Sequence, residues 1–275
     1  MELVLTDLDN LYFLEVLAGA EAGAARAGAG LVVTAAHDRP GTSRDWIAGV
    51  ASRRAVGVVL VVNRLAPGTL EKLSELGVPV VLLDPVGGPD PHLPTVGATN
   101  FTGGLAATEH LIAQGHRRIA VITGLPYLLC SQERLEGYRA ALGRAGLPVD
   151  EALVRYGDFQ PGGGQRAAAE LLDLDDPPTA IFAGSDMQAS GVYQEARARG
   201  LRIPEDLSVV GFDDVSICRF LSPPLTTVRQ PLAQMAAESV RIVLDADRHG
   251  SSPTAPHVQL ATSLTVRDST APPSR

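Results

Sequence analysis

Apolar residues along this 275-residue chain fall into short unbroken runs rich in valine, isoleucine and leucine. Between these runs lie longer stretches in which apolar positions recur every three or four residues. Short runs bounded by turn residues predict buried strands, and the three-to-four repeat predicts helices. Strands are expected at Glu2–Thr6, Leu31–Ala35, Gly57–Val62, Val78–Leu83, Arg118–Thr123, Leu153–Tyr156, Thr179–Ala183 and Leu207–Phe212. Helices are expected at Leu11–Ala27, Arg44–Arg54, Gly104–Gln114, Gln132–Ala145, Gly164–Leu172 and Met187–Arg199. In the helix over Gln132–Ala145, Leu135, Tyr138 and Leu142 share one face. Strand–helix alternation predicts an α/β protein with parallel sheets and right-handed crossovers. Strands in such sheets are covered on both faces, which accounts for their unbroken apolar runs.

The alternation pauses once, over Asp84–Pro94 (DPVGGPDPHLP), and restarts with Val96 and a helix beginning near Asn100. A full strand–helix series on either side predicts two similar lobes, and the length suffices for a core in each. The charge is −8, from 31 acids against 23 bases, and Lys72 is the only lysine. That balance argues against this chain gripping a polyanion, because affinity for nucleic acid rests on neutralising phosphates. Cys130 and Cys218 make no metal-type spacing and are expected as unpaired thiols of a reducing, cytoplasmic compartment. No leader opens the chain, and no apolar run approaches the roughly 18 residues of a membrane helix. No metal or cofactor motif is recognised.

The residues that could carry chemistry stand where strands pass into helices. In an open α/β sheet such junctions face the ligand crevice. Three recur, at Thr6–Asn10, Thr123–Ser131 and Ala183–Ser185, and Asp213-Asp214 ends a fourth strand. The first holds Asp7-Leu8-Asp9 after a strand, as in haloacid-dehalogenase-type phosphatases, but Asn10 and Leu11 replace the glycine and threonine of that motif. Asn10 has a plainer role as a helix cap. Arg134 falls in the first turn of its helix, where a guanidinium can donate paired hydrogen bonds into the crevice. A solvated helix arginine is the plainer reading. Phe13 and Phe159 offer flat faces for stacking, and core packing is the alternative for each. The glycines Gly162–Gly164 lack the lysine and hydroxyl of a phosphate loop, no nucleophile elbow appears, and His110 with His116 completes no ligand set. These residues point to binding and not to catalysis.

The string LSVVGFDDVSICRFLSPPLTTVRQ (207–230) closely resembles a signature of the lac-repressor/galactose-repressor (LacI) family of bacterial transcriptional regulators. The resemblance covers essentially the whole chain, through LVLTDLDNLYF (3–13), GHRRIAVITG (115–124), ERLEGYRAAL (133–142), PPTAIFAGSDMQASG (177–191) and LTVRDST (264–270). It implies two Rossmann-like lobes of the periplasmic-binding-protein type, joined by three crossovers, with a small effector between them. The first lobe is expected to comprise residues 1–98 and 230–248, the second 99–229 and 249–275. Carried over position by position, Asp213 matches the acid that hydrogen-bonds the effector. Arg134 matches the ligand-facing arginine, and Phe13 and Phe159 match flanking aromatics. Ser185 stands where asparagine is frequent. Asn10, Tyr12 and Cys130 complete the expected ligand-binding set.

The implied function is effector sensing and dimerisation in an allosteric, cytoplasmic regulator. A solute-binding protein for sugar transport is the alternative, and a phosphatase the distant one. The loop Tyr127–Cys130 is less polar than in sugar-responsive members, which predicts a polar effector, sugar-like or nucleoside-like, with an apolar portion. The helix Arg44–Arg54 with Trp46 is a candidate for the homodimer surface. The family's helix-turn-helix head is not found ahead of the first strand, so operator DNA is expected to be bound only through that missing headpiece.

Overall fold

A computed structural model describes residues 1–6, 8–36, 46–62, 67–87, 93–249 and 255–274. In chain order the elements are β1 (Glu2–Leu5), α1 (Leu11–Arg26), β2 (Val32–Ala35), α2 (Trp46–Ser52), β3 (Val58–Val61), α3 (Thr69–Glu75), β4 (Val80–Leu83) and β5 (Thr95–Ala98). There follow α4 (Asn100–Ala113), β6 (Ile119–Thr123), α5 (Leu129–Arg144), β7 (Val154–Tyr156), α6 (Pro161–Leu172), β8 (Ala180–Ala183) and α7 (Asp186–Ala198). The chain closes with β9 (Ser208–Asp213), β10 (Thr226–Arg229), α8 (Leu232–His249), β11 (His257–Leu260) and β12 (Ser263–Thr265). All eight expected strands form. Of the expected helix over Arg44–Arg54, residues 44 and 45 lie outside the described residues, as do Asp7 and residues 88–92 of the pause.

Two compact units result, residues 1–98 with 231–260, and residues 99–230 with 261–275, so the chain crosses between them three times. The first carries a parallel sheet in the order β11-β5-β4-β3-β1-β2. The second has the order β12-β10-β9-β8-β6-β7, parallel except where β12 runs against β10. One expectation needs correcting. The tail 249–275 was placed wholly in the second lobe, yet His257–Leu260 pairs with β5 as an edge strand of the first sheet. Its exposed, alternating pattern is that of a half-covered edge, with no long apolar run to flag it. Gln230, placed at the head of the first-lobe helix, is instead the last residue of the second unit's middle segment.

The second unit shows why the apolar runs were unbroken. Ile119, Val121, Phe182, Val210 and Phe212 point to one face of the sheet and pack with Leu111, Leu135, Tyr138 and Leu142 of α4 and α5. Their neighbours Ala120, Ile122, Ile181 and Val209 point to the other face and pack with Ala168, Leu171 and Val192 of α6 and α7. Successive strand residues alternate faces, so a sheet with helices on both sides needs apolar residues at every position. Burying a side chain such as Phe182, which has no exposed surface, contributes roughly 1.5–3 kcal/mol.

Helices α4 and α5 approach backbone to backbone, because a Cβ on Gly104 would overlap the Arg134 carbonyl and one on Gly137 would overlap that of Phe101. This contact places the Arg134 side chain at the carboxyl end of the sheet. In the first unit, Val4, Val50, Val58, Leu60 and Leu73 form a core against which Trp46 packs partly buried.

Candidate functional site

The carboxyl ends of β6, β8 and β9 carry the candidate residues of the second unit. Arg134 is buried, at 3% exposure, one turn into α5. Its Nε donates to Asn100 Oδ1 at 2.9 Å and its Nη1 to the Gly184 carbonyl at 2.6 Å. The guanidinium carbon lies 3.8 Å from the ring centroid of Phe212 and 5.5 Å from that of Phe159. Among the described residues no carboxylate stands within ion-pair distance of it. A desolvated cation without a counter-ion is costly unless further partners meet it.

Asp213 ends β9 with φ +115°, and Asp214 follows at +60°, both in the region that favours glycine. Such residues cost about 1–3 kcal/mol each unless their surroundings hold them. Several bonds do so here. Gln230 Nε2 donates to Asp213 Oδ1 at 2.6 Å, and the Gln230 backbone N–H donates to the Asp213 carbonyl. Asp214 pairs with Arg267 at 2.6 Å. Beneath the turn Asp186 is wholly buried and accepts from Val215 N at 2.9 Å and Thr227 Oγ1 at 2.5 Å. Burial raises its carboxyl to about 7, against the pull of hydrogen bonds from Cys218, Thr227 and Val215. The Cys218 thiol is pushed up, chiefly by burial and then by the charge of Asp186.

Ser185 caps α7 by accepting from Gln188 N at 3.1 Å, and its Oγ donates to the Phe159 carbonyl at 3.3 Å. Phe159 itself has φ +62°, and its ring lies so close to Gly124 that a Cβ there would overlap it. Cys130, buried and not in a disulfide, lies in the first turn of α5. Cys130, Arg134, Phe159, Ser185 and Asp213 therefore gather at one end of a single sheet.

The remaining three expected residues follow β1 in the first unit. Asn10 caps α1, its Oδ1 accepting from Tyr12 N at 2.9 Å. The Tyr12 hydroxyl donates to Asp84 Oδ2 at 3.2 Å, and Phe13 is buried with its ring edge-on to Tyr12 at 5.3 Å. The sequence reading missed Asn100, Phe212, Asp186 and Gln230. Phe212 and Gln230 lie in the 207–230 string and Asp186 in the 177–191 string, but nothing in those strings gave them a role.

Comparison with known proteins bears on what this arrangement is. The family profile described as a periplasmic binding protein-like domain matches residues 108–270. The transcriptional regulator CelR of Thermobifida fusca is 38% identical over 250 residues, spanning 90% of this chain and 73% of that protein. The transcriptional repressor CytR of Escherichia coli K12 is 34% identical over 242 residues, spanning 88% and 71%. The chain belongs to the LacI family of transcriptional regulators.

Solved LacI-family structures agree in fold. The CelR–cellobiose complex superposes with a TM-score of 0.90 at 33% identity, covering 98% of this chain and 83% of that one. A LacI-family regulator from Enterococcus faecium with bound ribose gives 0.87 at 26% identity, covering 98% of each. These relatives are regulators of transcription, not transport proteins or enzymes, so the chain is read as the effector-sensing core of a LacI-type regulator. Among the described residues no helix is long and apolar enough to cross a membrane, and no cluster of side chains is suited to a metal ion.

Proposed function

We propose that the effector is a small polar molecule, sugar-like or nucleoside-like, held chiefly by Arg134, Asp213, Phe159, Ser185 and Cys130 of the second unit. The observation that carries this reading is Arg134, buried against the Phe212 and Phe159 rings, donating to two neutral oxygens and lacking any carboxylate partner among the described residues. An electron-rich ligand oxygen is the partner such a cation lacks. The bound ligands of the CelR and Enterococcus structures support a sugar-like class. Phe159 and Cys130 supply the apolar surface for a less polar portion.

Binding controls operator affinity in a cytoplasmic homodimer, to the extent that the effector prefers one conformation of the regulator. Apolar side chains left exposed support self-association: Val32 and Val33 on the edge strand β2, and Phe220, 82% exposed, beside a groove of about 820 Å³ lined by Tyr193, Ile203 and Leu221.

A thermal-shift and calorimetric screen of cellobiose, D-ribose, adenosine and small acids tests the reading. A ligand is expected to raise the melting temperature of the wild-type chain and to lose binding in Arg134→Gln and Asp213→Asn. Unchanged binding in both variants would overturn it. Sedimentation at several concentrations tests the dimer, which Phe220→Asp or Val33→Asp is expected to weaken.

A further inference from the structure

The strand that ends in Asp213 is followed by a loop, residues 214–225, which returns the chain to β10. Its first residue, Asp214, has φ +60° directly after the +115° of Asp213, so two neighbouring residues hold a backbone that side chains disfavour. Such backbone persists only where its surroundings over-determine it. The Gln230 bonds reach Asp213 itself, and Asp186 accepts from Val215 N beneath the turn. Asp214 is held from 53 positions further along the chain.

Arg267, two residues after β12, makes that contact. Its Nη2 donates to Asp214 Oδ1 at 2.6 Å, its Nη1 to the Leu225 carbonyl at 2.7 Å, and its backbone N–H to Thr226 Oγ1 at 2.9 Å. One guanidinium thus fastens the first and the last residue of the loop. A planar fork with fixed donor directions suits this task, and a point-like ammonium does not. Both side chains of the ion pair are largely buried, Arg267 at 15% exposure and Asp214 at 8%. Solvent and salt therefore screen the pair far less than they would a surface pair.

Arg267 is itself anchored on the sheet from both sides. Before it, β12 pairs with β10. After it, Asp268 N donates to the Pro224 carbonyl at 3.1 Å. Ser269 Oγ donates to the Val209 carbonyl at 2.6 Å and accepts from Thr226 N at 2.8 Å. The fork stands on strands β9 and β10, and the loop is tied to it.

We propose that Arg267 is a positioning residue of the effector site: by fastening both ends of the 214–225 loop it holds the turn that presents the Asp213 carboxylate. The proposal rests on Asp213 meeting the effector. Arg267 acts through Asp214 and Leu225, not by contact with the ligand, and this makes the segment after β12 part of the sensing apparatus.

Two measurements on the full chain separate this role from plain support of the fold. In nitrogen–proton correlation spectra of the unliganded chain, the Gln230 side-chain amide reports where the Asp213 carboxylate lies, because its Nε2 donates to Oδ1 at 2.6 Å. Arg267→Met is expected to move that signal toward the position of a free amide while the backbone signals of β6 and β8 stay in place. Arg267→Lys keeps the charge and loses the fork. It is expected to move the signal less, and it carries the test should the first variant fail to fold. An unmoved Gln230 signal in a folded variant would overturn the proposal.

Titration calorimetry with cellobiose, D-ribose and adenosine reads the consequence for binding. Arg267→Met is expected to weaken whichever of these the wild-type chain binds by about ten-fold or more. Added to Asp213→Asn it should weaken binding little further, since a carboxylate already removed cannot be misplaced. Losses that add in full across the two sites would also overturn the proposal. Wild-type affinity in Asp213→Asn, or no binding of any probe by the wild-type chain, would count against the effector reading instead. The Gln230 signal then still decides whether Arg267 positions Asp213.

Discussion

Arg134 stacks on Phe212, its guanidinium carbon 3.8 Å from the ring centroid, and Phe212 is the residue before Asp213. The cation of α5 therefore lies over the ring that precedes the acid in β9. The aromatic face meets part of the cation's electrostatic demand, to the extent of about 2 kcal/mol where water is excluded. The Asn100 amide and the Gly184 carbonyl meet more of it. What remains unmatched is what the proposed effector would meet.

Arg134→Met follows from that account. Two acceptors lose their donor, which costs about 1–3 kcal/mol each if they stay buried. Removing a desolvated cation offsets much of this. Urea denaturation is expected to show a net loss of no more than about 2 kcal/mol. Effector affinity measured by calorimetry is expected to drop well beyond ten-fold. A variant that unfolds while retaining affinity per folded molecule would show Arg134 to be a structural residue only.

Gly124→Ala probes the other wall of the stack. A Cβ there would overlap the Phe159 ring, whose backbone is held in the left-handed region by the bond from Ser185. The ring must swing out and leave the Arg134 guanidinium. The expected cost is about 1–3 kcal/mol of stability, typical of an overpacked site. A fall in effector affinity should accompany it, read from the ligand-induced melting shift.

How far the sequence carried can be judged from these same residues. The strand–helix alternation was legible because both faces of each sheet are covered, so Ile119–Thr123 and Leu207–Phe212 read as nearly unbroken apolar runs. Arg134, Ser185 and Asp213 were singled out by resemblance, and the fold places them at or just after strand ends. Residues that act on those three were not. Nothing in a run of sequence tells that Asn100 and Gly184 receive the Arg134 donors, since they lie 34 and 50 positions away. Phe212 looked like any core residue of a strand. The edge strand β11 escaped because its alternate residues face solvent and the run is only four long.

Acid should loosen the second unit through two histidines. His116 is buried, its Nε2 bonded to the Ala271 carbonyl at 2.9 Å and its Nδ1 to Thr179 Oγ1 at 2.8 Å. A carbonyl only accepts, so the proton sits on Nε2. His110 Nε2 meets Thr270 Oγ1 at 2.9 Å. Burial lowers both rings from 6.5, and for His116 the neighbouring His110 adds to it against the raising effect of the Ala271 bond. Depressed values in the fold mean that the unfolded chain takes up protons first. Stability is then full above pH 6.5 and is lost as pH falls through the folded values. Melting temperatures are expected to be level between about pH 7 and 8 and to decline below about 6, with a shallower decline in His116→Gln. A decline of wild-type steepness in that variant would assign the acid sensitivity elsewhere.

Asp186 is expected to act in the opposite sense. Its carboxyl, raised to about 7 by burial, is protonated in the fold where the unfolded chain is ionised. The stabilisation is present below the unfolded value of 3.8 and is lost as pH rises through about 7. Asp186→Asn removes that titration. Its one oxygen can keep the Val215 N–H, and its amide can donate to Thr227 Oγ1 once that hydroxyl turns, so the cost at pH 7 should stay within about 1 kcal/mol. The loss of stability that its titration causes between the unfolded value of 3.8 and about 7 should disappear. Asp186→Ala leaves the Val215 N–H unpaired and opens a cavity beneath the Asp213–Asp214 turn, costing about 2–4 kcal/mol. Because that turn presents Asp213, the alanine variant should also lose effector affinity, while the asparagine variant keeps it. Equal affinities in the two variants would mean that Asp186 supports the fold without governing how Asp213 is presented.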